Sequence, residues 1–213
     1  MRTSALSTSA VIERGASLAD ANGFAALTIA DVARSLNVQA PSLYSHVRNL
    51  QALRDGIAIL ALQELADRIV EAIMGRAAKA ALTGFADAHR SFARERPGCW
   101  EALQTPQGDD VAAAPAARRL VQATSTVLLG YGIAPGEHVH ATRIVGSAIN
   151  GFVTLERVGN FAHSAPPADS TWPRLIDALD SVLQDWAARP TTPADPNDPD
   201  NPNDPNHPNE GTP

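Results

Sequence analysis

Apolar positions along this chain recur at steps of three and four residues, and nowhere do they alternate as a half-buried strand requires. Val11, Gly15, Leu18 and Ala19 share one side of a helix expected over about residues 9–22, closed by Gly23 as a C-terminal cap. A glycine inside a helix costs about 1 kcal/mol against alanine, so a close helix neighbour is expected at Gly15. Ile29, Val32, Ala33 and Leu36 form a second stripe. Thr28 and Asp31 before it make a capping box, the hydroxyl taking an orphan amide while the carboxylate reaches back. Asn37 suits a left-handed turn position, Val38 plugs the turn, and Pro41 fits the first turn of a third helix. Leu43 and Val47 are expected to hold that helix against the first two. Leu53, Ile57, Leu60, Ile69 and Ile73 mark a long fourth helix from about Leu50 to Met74, broken by Gly75. Further helices are expected over about 79–95, 111–131, 137–158 and 172–188, with stops at Arg96-Pro97-Gly98, Ala134-Pro135-Gly136 and Ala165-Pro166-Pro167.

The expected fold is all-α: a polar N-terminal arm and three-helix head over 1–53, then a long connecting helix and helical bundle over 54–189. From Pro190 a low-complexity run of Pro, Asn and Asp cannot bury apolar surface, and residues 190–213 are expected to be a disordered acidic tail.

Composition refines this picture. A chain of 213 residues can bury a real core, and 44% hydrophobic content, much of it alanine, with only 5% aromatics favours helix. The single cysteine, Cys99, excludes an internal disulfide framework and fits a reducing compartment. With no signal-like apolar run and no membrane-length segment, a cytoplasmic protein without membrane contact is expected. Net charge is −6, yet Asp195, Asp198, Asp200, Asp204 and Glu210 put −5 of it in the tail. Residues 1–53 carry four arginines against three acidic groups, a balance of +1. That thin positive field predicts few phosphate contacts and a shallow salt dependence per head.

The block LTIADVARSLNVQAPSLYSHVRNLQAL, Leu27 to Leu53, is written as two short helices joined by a tight turn. Such a unit places its second helix in the major groove of DNA. Together with the apolar first helix ending in Gly23-Phe24, the segments LTIADVARSLNV and PSLYSHV make the chain resemble the TetR/AcrR family of transcriptional regulators from Val11 to Leu53. The resemblance implies that Gln39, Ala40 and Ser42 reach base edges, a glutamine pairing with adenine and an alanine methyl meeting thymine. It implies that Tyr44 and His46 contact phosphates or sugar edges, and that Thr28 offers an amide or hydroxyl to a phosphate besides capping. One departure stands out. Family members usually place a phosphate-gripping lysine where this chain has Leu50. Arg48 takes that contact or it is absent, so modest affinity per head is expected.

In the C-terminal half, AINGFVTLERVGNF and TWPRLIDAL resemble the helix pair of members carrying a Trp-His-Gly motif, here Ile149-Asn150-Gly151. The resemblance implies a homodimer. Ile144, Ser147, Ala148, Gly151 and Leu155 on one helix, with Leu175, Leu179, Val182 and Trp186 on the last, are the candidate four-helix interface. The alternative is that both stripes are intramolecular core. By the same resemblance, Phe85, His89, Phe92, Trp100, Leu128 and Phe152 line a pocket for a small apolar or aromatic effector, or are ordinary core. His138 and His140, two apart, point to different sides of a helix and are not read as a metal pair. Cys99 and His89 lack an orienting third group for nucleophilic catalysis. No cofactor, metal or enzymatic activity is expected. The implied function is a ligand-responsive repressor that binds a palindromic double-stranded DNA operator as a homodimer. The competing reading is a helical small-molecule-binding or partner-docking protein that has lost DNA binding.

Overall fold

The computed structural model describes residues 6–106 and 108–188. The first five residues of the expected arm and the whole of the expected tail lie outside them. The helices are α1 Thr8–Asn22, α2 Ile29–Ser35, α3 Ala40–Leu43, α4 Leu50–Ile73, α5 Ala78–Glu95 and α6 Pro97–Gln104. They continue with α7 Asp109–Ala112, α8 Pro115–Leu129, a 3-10 turn Pro135–Glu137, α9 His138–Arg157 and α10 Ala168–Ala187. Among the described residues there is no strand, and the all-α expectation holds. None of these helices is long and apolar enough to cross a membrane.

Helix α4 is the spine. Its buried Leu53, Ile57, Ala58, Ala61, Leu65, Ile69 and Ile73 pack successively against α1, α6, α5 and α8. Local chemistry sets the helix ends: Ser7 accepts from the Ala10 amide at 3.1 Å and Asn49 from the Ala52 amide at 2.8 Å. Gly23 adopts φ 90° and returns its N–H to Ala19 at 2.8 Å, as expected of a C-cap. A Cβ on Gly15 would lie 3.1 Å from side-chain carbons of both Leu53 and Ile57, the close helix approach expected there.

Three boundaries in the C-terminal half differ from expectation, each at a proline. Arg96-Pro97-Gly98 does not separate helices by a loop: Pro97 opens α6 at a position where a missing amide is harmless. The single helix expected over 111–131 is instead α7 and α8. Pro115 opens α8, because a proline ring clashes with a preceding helical turn but is well suited to begin one. Helix α10 begins at Ala168 rather than Trp172, so Pro173 lies inside it. Its first turn is held from outside, Asp169 accepting from Arg90 at 2.6 Å and Arg94 at 2.9 Å.

Candidate DNA interface and its link to the helical core

Leu43 and Val47, 0% and 4% exposed, anchor the segment expected to read DNA. Their anchoring turns Gln39, Ser42, Tyr44 and Arg48 outward, with Ala40 and His46 half-buried. Tyr44 is 55% exposed and so does not pack on the head's own core. Asn37 takes φ 55°, the left-handed turn conformation that its side chain tolerates. The reading helix is shorter than expected: α3 ends at Leu43, and Tyr44 to His46 form tighter turns. The cause is local competition. The Ser45 hydroxyl donates to the Ser42 carbonyl at 2.8 Å, and the His46 amide turns to Leu43 at 2.9 Å instead of continuing the α pattern.

At the start of α2, Thr28 Oγ1 accepts from the Asp31 amide at 3.1 Å. The Asp31 carboxylate does not close the expected box through the Thr28 backbone; it takes the Thr28 hydroxyl proton at 2.6 Å and Arg34 at 2.7 Å. These two partners hold the Asp31 carboxyl below its usual range. Arg34 is therefore neutralised within its own helix, while Arg48 is exposed and forms no ion pair among the described residues. Leu50, where a lysine is usual, packs half-buried against the core.

Behind the candidate DNA-facing surface, α1 is fastened to α6 by an arrangement that sequence reading did not find. Asp20 Oδ1 accepts from the Gly98 and Cys99 amides at 2.8 and 3.0 Å, capping α6 from another helix. Its Oδ2 accepts from Arg96 Nε at 2.6 Å, and Arg96 reaches both Glu64 oxygens on α4 at 2.7 Å. A Cβ on Gly98 would fall 2.1 Å from the Ala19 carbonyl carbon and 2.5 Å from the Asp20 nitrogen, so α6 rests backbone to backbone on α1. A second tie runs from the Phe24 amide to Glu101 at 2.9 Å, and from Glu101 to Arg157 at the end of α9 at 3.0 Å. Cys99 is fully buried beside Asp20, and burial together with that charge pushes its thiol up to about 12. It stays protonated at neutral pH.

All six expected pocket residues are buried, but they do not gather into one cluster. Phe85 and His89 on α5 lie with ring centroids 4.4 Å apart, and Trp100 on α6 stands edge-on to His89 at 6.3 Å. Phe152 belongs to another group, with Phe161 at 5.0 Å and Trp172 at 5.2 Å, beside the buried Arg90. Phe92 packs under the Arg68 guanidinium, and Leu128 lies in the core on α8. His89 Nδ1 meets the Phe85 carbonyl at 2.8 Å, and burial lowers the ring's pKa to about 4, so the imidazole is neutral. The Trp100 indole N–H is buried without a partner among the described residues. Such an orphan donor costs about 1–3 kcal/mol.

The pairing candidates also divide. Ile144, Leu155 and Val182 are 46%, 41% and 43% exposed, with Ser147 and Gly151 exposed beside them. Ala148 and Leu175 are half-buried. Leu179, expected at the interface, is 5% exposed and packs in the core of the chain itself. Trp186 is half-buried and donates to Glu137 at 3.2 Å, so it too is turned toward its own chain. The apolar stripe of α10 is wider than one contact, and its inner half serves the monomer.

Residues 82–179 match the family model described as the tetracyclin repressor-like C-terminal domain. An HTH-type transcriptional regulator of Mycobacterium tuberculosis, Rv0681, is 32% identical over 160 residues, covering 74% of this chain and 73% of that protein. Another from Bacillus subtilis, YobS, is 30% identical over 146 residues, covering 68% and 76%. Among solved structures, a TetR variant of Acinetobacter baumannii in complex with minocycline superposes with a TM-score of 0.62 at 25% identity, covering 85% of this chain and 96% of that one.

Proposed function

The chain belongs to the TetR family of transcriptional regulators, and on that basis we propose that it is a ligand-responsive repressor that binds a palindromic operator as a homodimer. The observation that carries the reading is the outward face of the third helix. Gln39, Ser42 and Tyr44 are exposed on a short segment whose inner residues, Leu43 and Val47, are locked in the core. In this reading Gln39, Ala40 and Ser42 address base edges, while Thr28, Tyr44, His46 and Arg48 address the backbone. Two heads on a palindrome supply the specificity that one short helix lacks. Ile144, Ser147, Gly151 and Leu155, at i, i+3, i+7 and i+11 along α9, with Val182 on α10, form an exposed apolar stripe with small residues, and support pairing through these helices. The functional division is then a reading head over 1–53 and a pairing and sensing bundle over 54–189. The minocycline complex of a family member supports a small-molecule effector.

The test is a gel shift with DNA flanking the protein's own coding region. The wild type shifts a palindromic fragment, and Tyr44→Ala loses the shift while keeping its helical content and its size in solution. Absence of any shift at low salt overturns the reading. A second reading, a ligand-binding protein without a DNA role, draws on the neutralised Arg34 and on Leu50 at the usual lysine position. It predicts that small-molecule binding persists with no operator shift at any salt concentration.

A further inference from the structure

One indole in this protein is 1% exposed and donates to nothing among the described residues, that of Trp100. The other two tryptophans donate to carboxylates, Trp172 to Asp87 at 2.7 Å and Trp186 to Glu137 at 3.2 Å. Buried tryptophan N–H groups ordinarily find an acceptor, so the exception marks a place where the acceptor comes from outside the chain.

The neighbouring ring narrows what that acceptor belongs to. His89, 7% exposed, stands at 89° to the Trp100 ring with centroids 6.3 Å apart. Its Nδ1 faces the Phe85 carbonyl, and a carbonyl only accepts, so the proton sits on Nδ1. The other nitrogen, Nε2, is then a lone-pair acceptor, and it has no hydrogen bond among the described residues. One donor without an acceptor and one acceptor without a donor thus belong to adjacent rings. The surroundings are apolar: Phe85 lies against His89, and Phe92 follows on the same helix face. Among the described residues no free charge serves this cluster. Arg90, the next residue, is engaged by Glu156 at 2.9 Å and Asp169 at 2.6 Å, and Arg96 by Asp20 and Glu64.

Taking the bundle core as the effector site, the reading proposed above, we infer that the effector is an uncharged, mainly apolar molecule bearing a hydroxyl, which accepts from Trp100 Nε1–H and donates to His89 Nε2. A hydroxyl is the smallest group that satisfies both. A ketone or ether answers only the indole, and an ammonium group answers only the imidazole. A carboxylate would enter without a counter-charge, against the cost of burying an unpaired ion.

Phenol, toluene and benzoate share one ring and differ in this chemistry. Each is titrated into the full chain and followed by thermal unfolding and by the indole signals in proton–nitrogen NMR spectra. Loss of one signal in Trp100→Phe assigns Trp100. Phenol is expected to bind about fivefold to tenfold tighter than toluene, as one or two neutral hydrogen bonds imply, and to move the Trp100 signal downfield. Benzoate is expected to bind more weakly than either. Trp100→Phe and His89→Phe each remove the advantage of phenol and keep toluene binding. If Trp100→Phe does not fold, assignment by Trp172→Phe and Trp186→Phe, with His89→Phe, carries the same test. Toluene binding as tightly as phenol, or benzoate binding best, overturns the hydroxyl inference while leaving a ligand pocket in place. A Trp100 signal unmoved by all three overturns the site itself. The regulator reading is judged separately, by the operator shift.

Discussion

The outward face of α3 belongs to the N-terminal head, the seat of α6 on α1 joins that head to the bundle, and the two are built on opposite terms. On the first, side chains stand in water with few partners: Tyr44 is 55% exposed, and the exposed side chains of Gln39, Ser42 and Arg48 make no hydrogen bond or ion pair among the described residues. On the second, backbone meets backbone at Gly98, and Asp20, Arg96 and Glu64 lock three helices through bonds of 2.6–2.7 Å. A reading surface of the first kind is free to vary without cost to the fold. A seat of the second kind fixes how the head is carried, and substitutions there are felt by the whole molecule.

The contrast is sharpest where it can be broken. Gly98→Val drives side-chain atoms into the backbone of Ala19 and Asp20, and is expected to cost more than about 3 kcal/mol in chemical denaturation. Wild-type stability in that variant would show that α6 does not rest on α1. The next effect lies inside the bundle, away from the seat. His89 has a folded pKa of about 4 against an ordinary value of 6.5. The unfolded chain therefore binds the extra proton first, and stability falls as pH drops from about 6.5 to 4, by about 2–3 kcal/mol in all. Melting curves across that window should flatten in His89→Leu, and an unchanged slope would contradict the buried neutral ring. Arg96→Ala leaves two half-buried carboxylates without a counter-ion, and a loss of about 2 kcal/mol is expected, discounted for their partial exposure. A double-mutant cycle with Asp20→Ala should give a coupling well above the few tenths of a kcal/mol of independent sites. The smallest expected change is Tyr44→Ala, within about 0.5 kcal/mol of wild type in stability though it abolishes the operator shift. A large destabilisation there would place Tyr44 with the seat instead of with the reading surface.

What the sequence made legible follows the same division. The helix-turn-helix was readable because its signals are local: Thr28 before α2, Asn37 in the turn, Pro41 in the first turn of α3, all within a few residues of what they control. The premature end of α3 was also local, yet it lay in a competition between Ser45 and the backbone for one carbonyl that helical periodicity does not register. The seat was not legible at all. Asp20 and Arg96 are 76 residues apart, and Phe24 and Glu101 are 77 apart, so no spacing rule connects them. Pro97-Gly98 read as a stop because the same dipeptide suits a loop and a helix that must start against another backbone. In the bundle, the resemblance picked out rings that are buried but not their grouping, which separated Phe152 from Phe85, His89 and Trp100. It also could not tell the inner from the outer half of α10, where Leu179 faces its own core and Val182 faces solvent.

The glycine at the start of α6 has a mechanical consequence. Most helix pairs touch through side chains, which yield by changing rotamer and so absorb small shifts as springs do. Where two main chains are in direct contact there is no cushion. A shift of α6 at this point meets the main chain of α1 directly, with little side-chain give between the two.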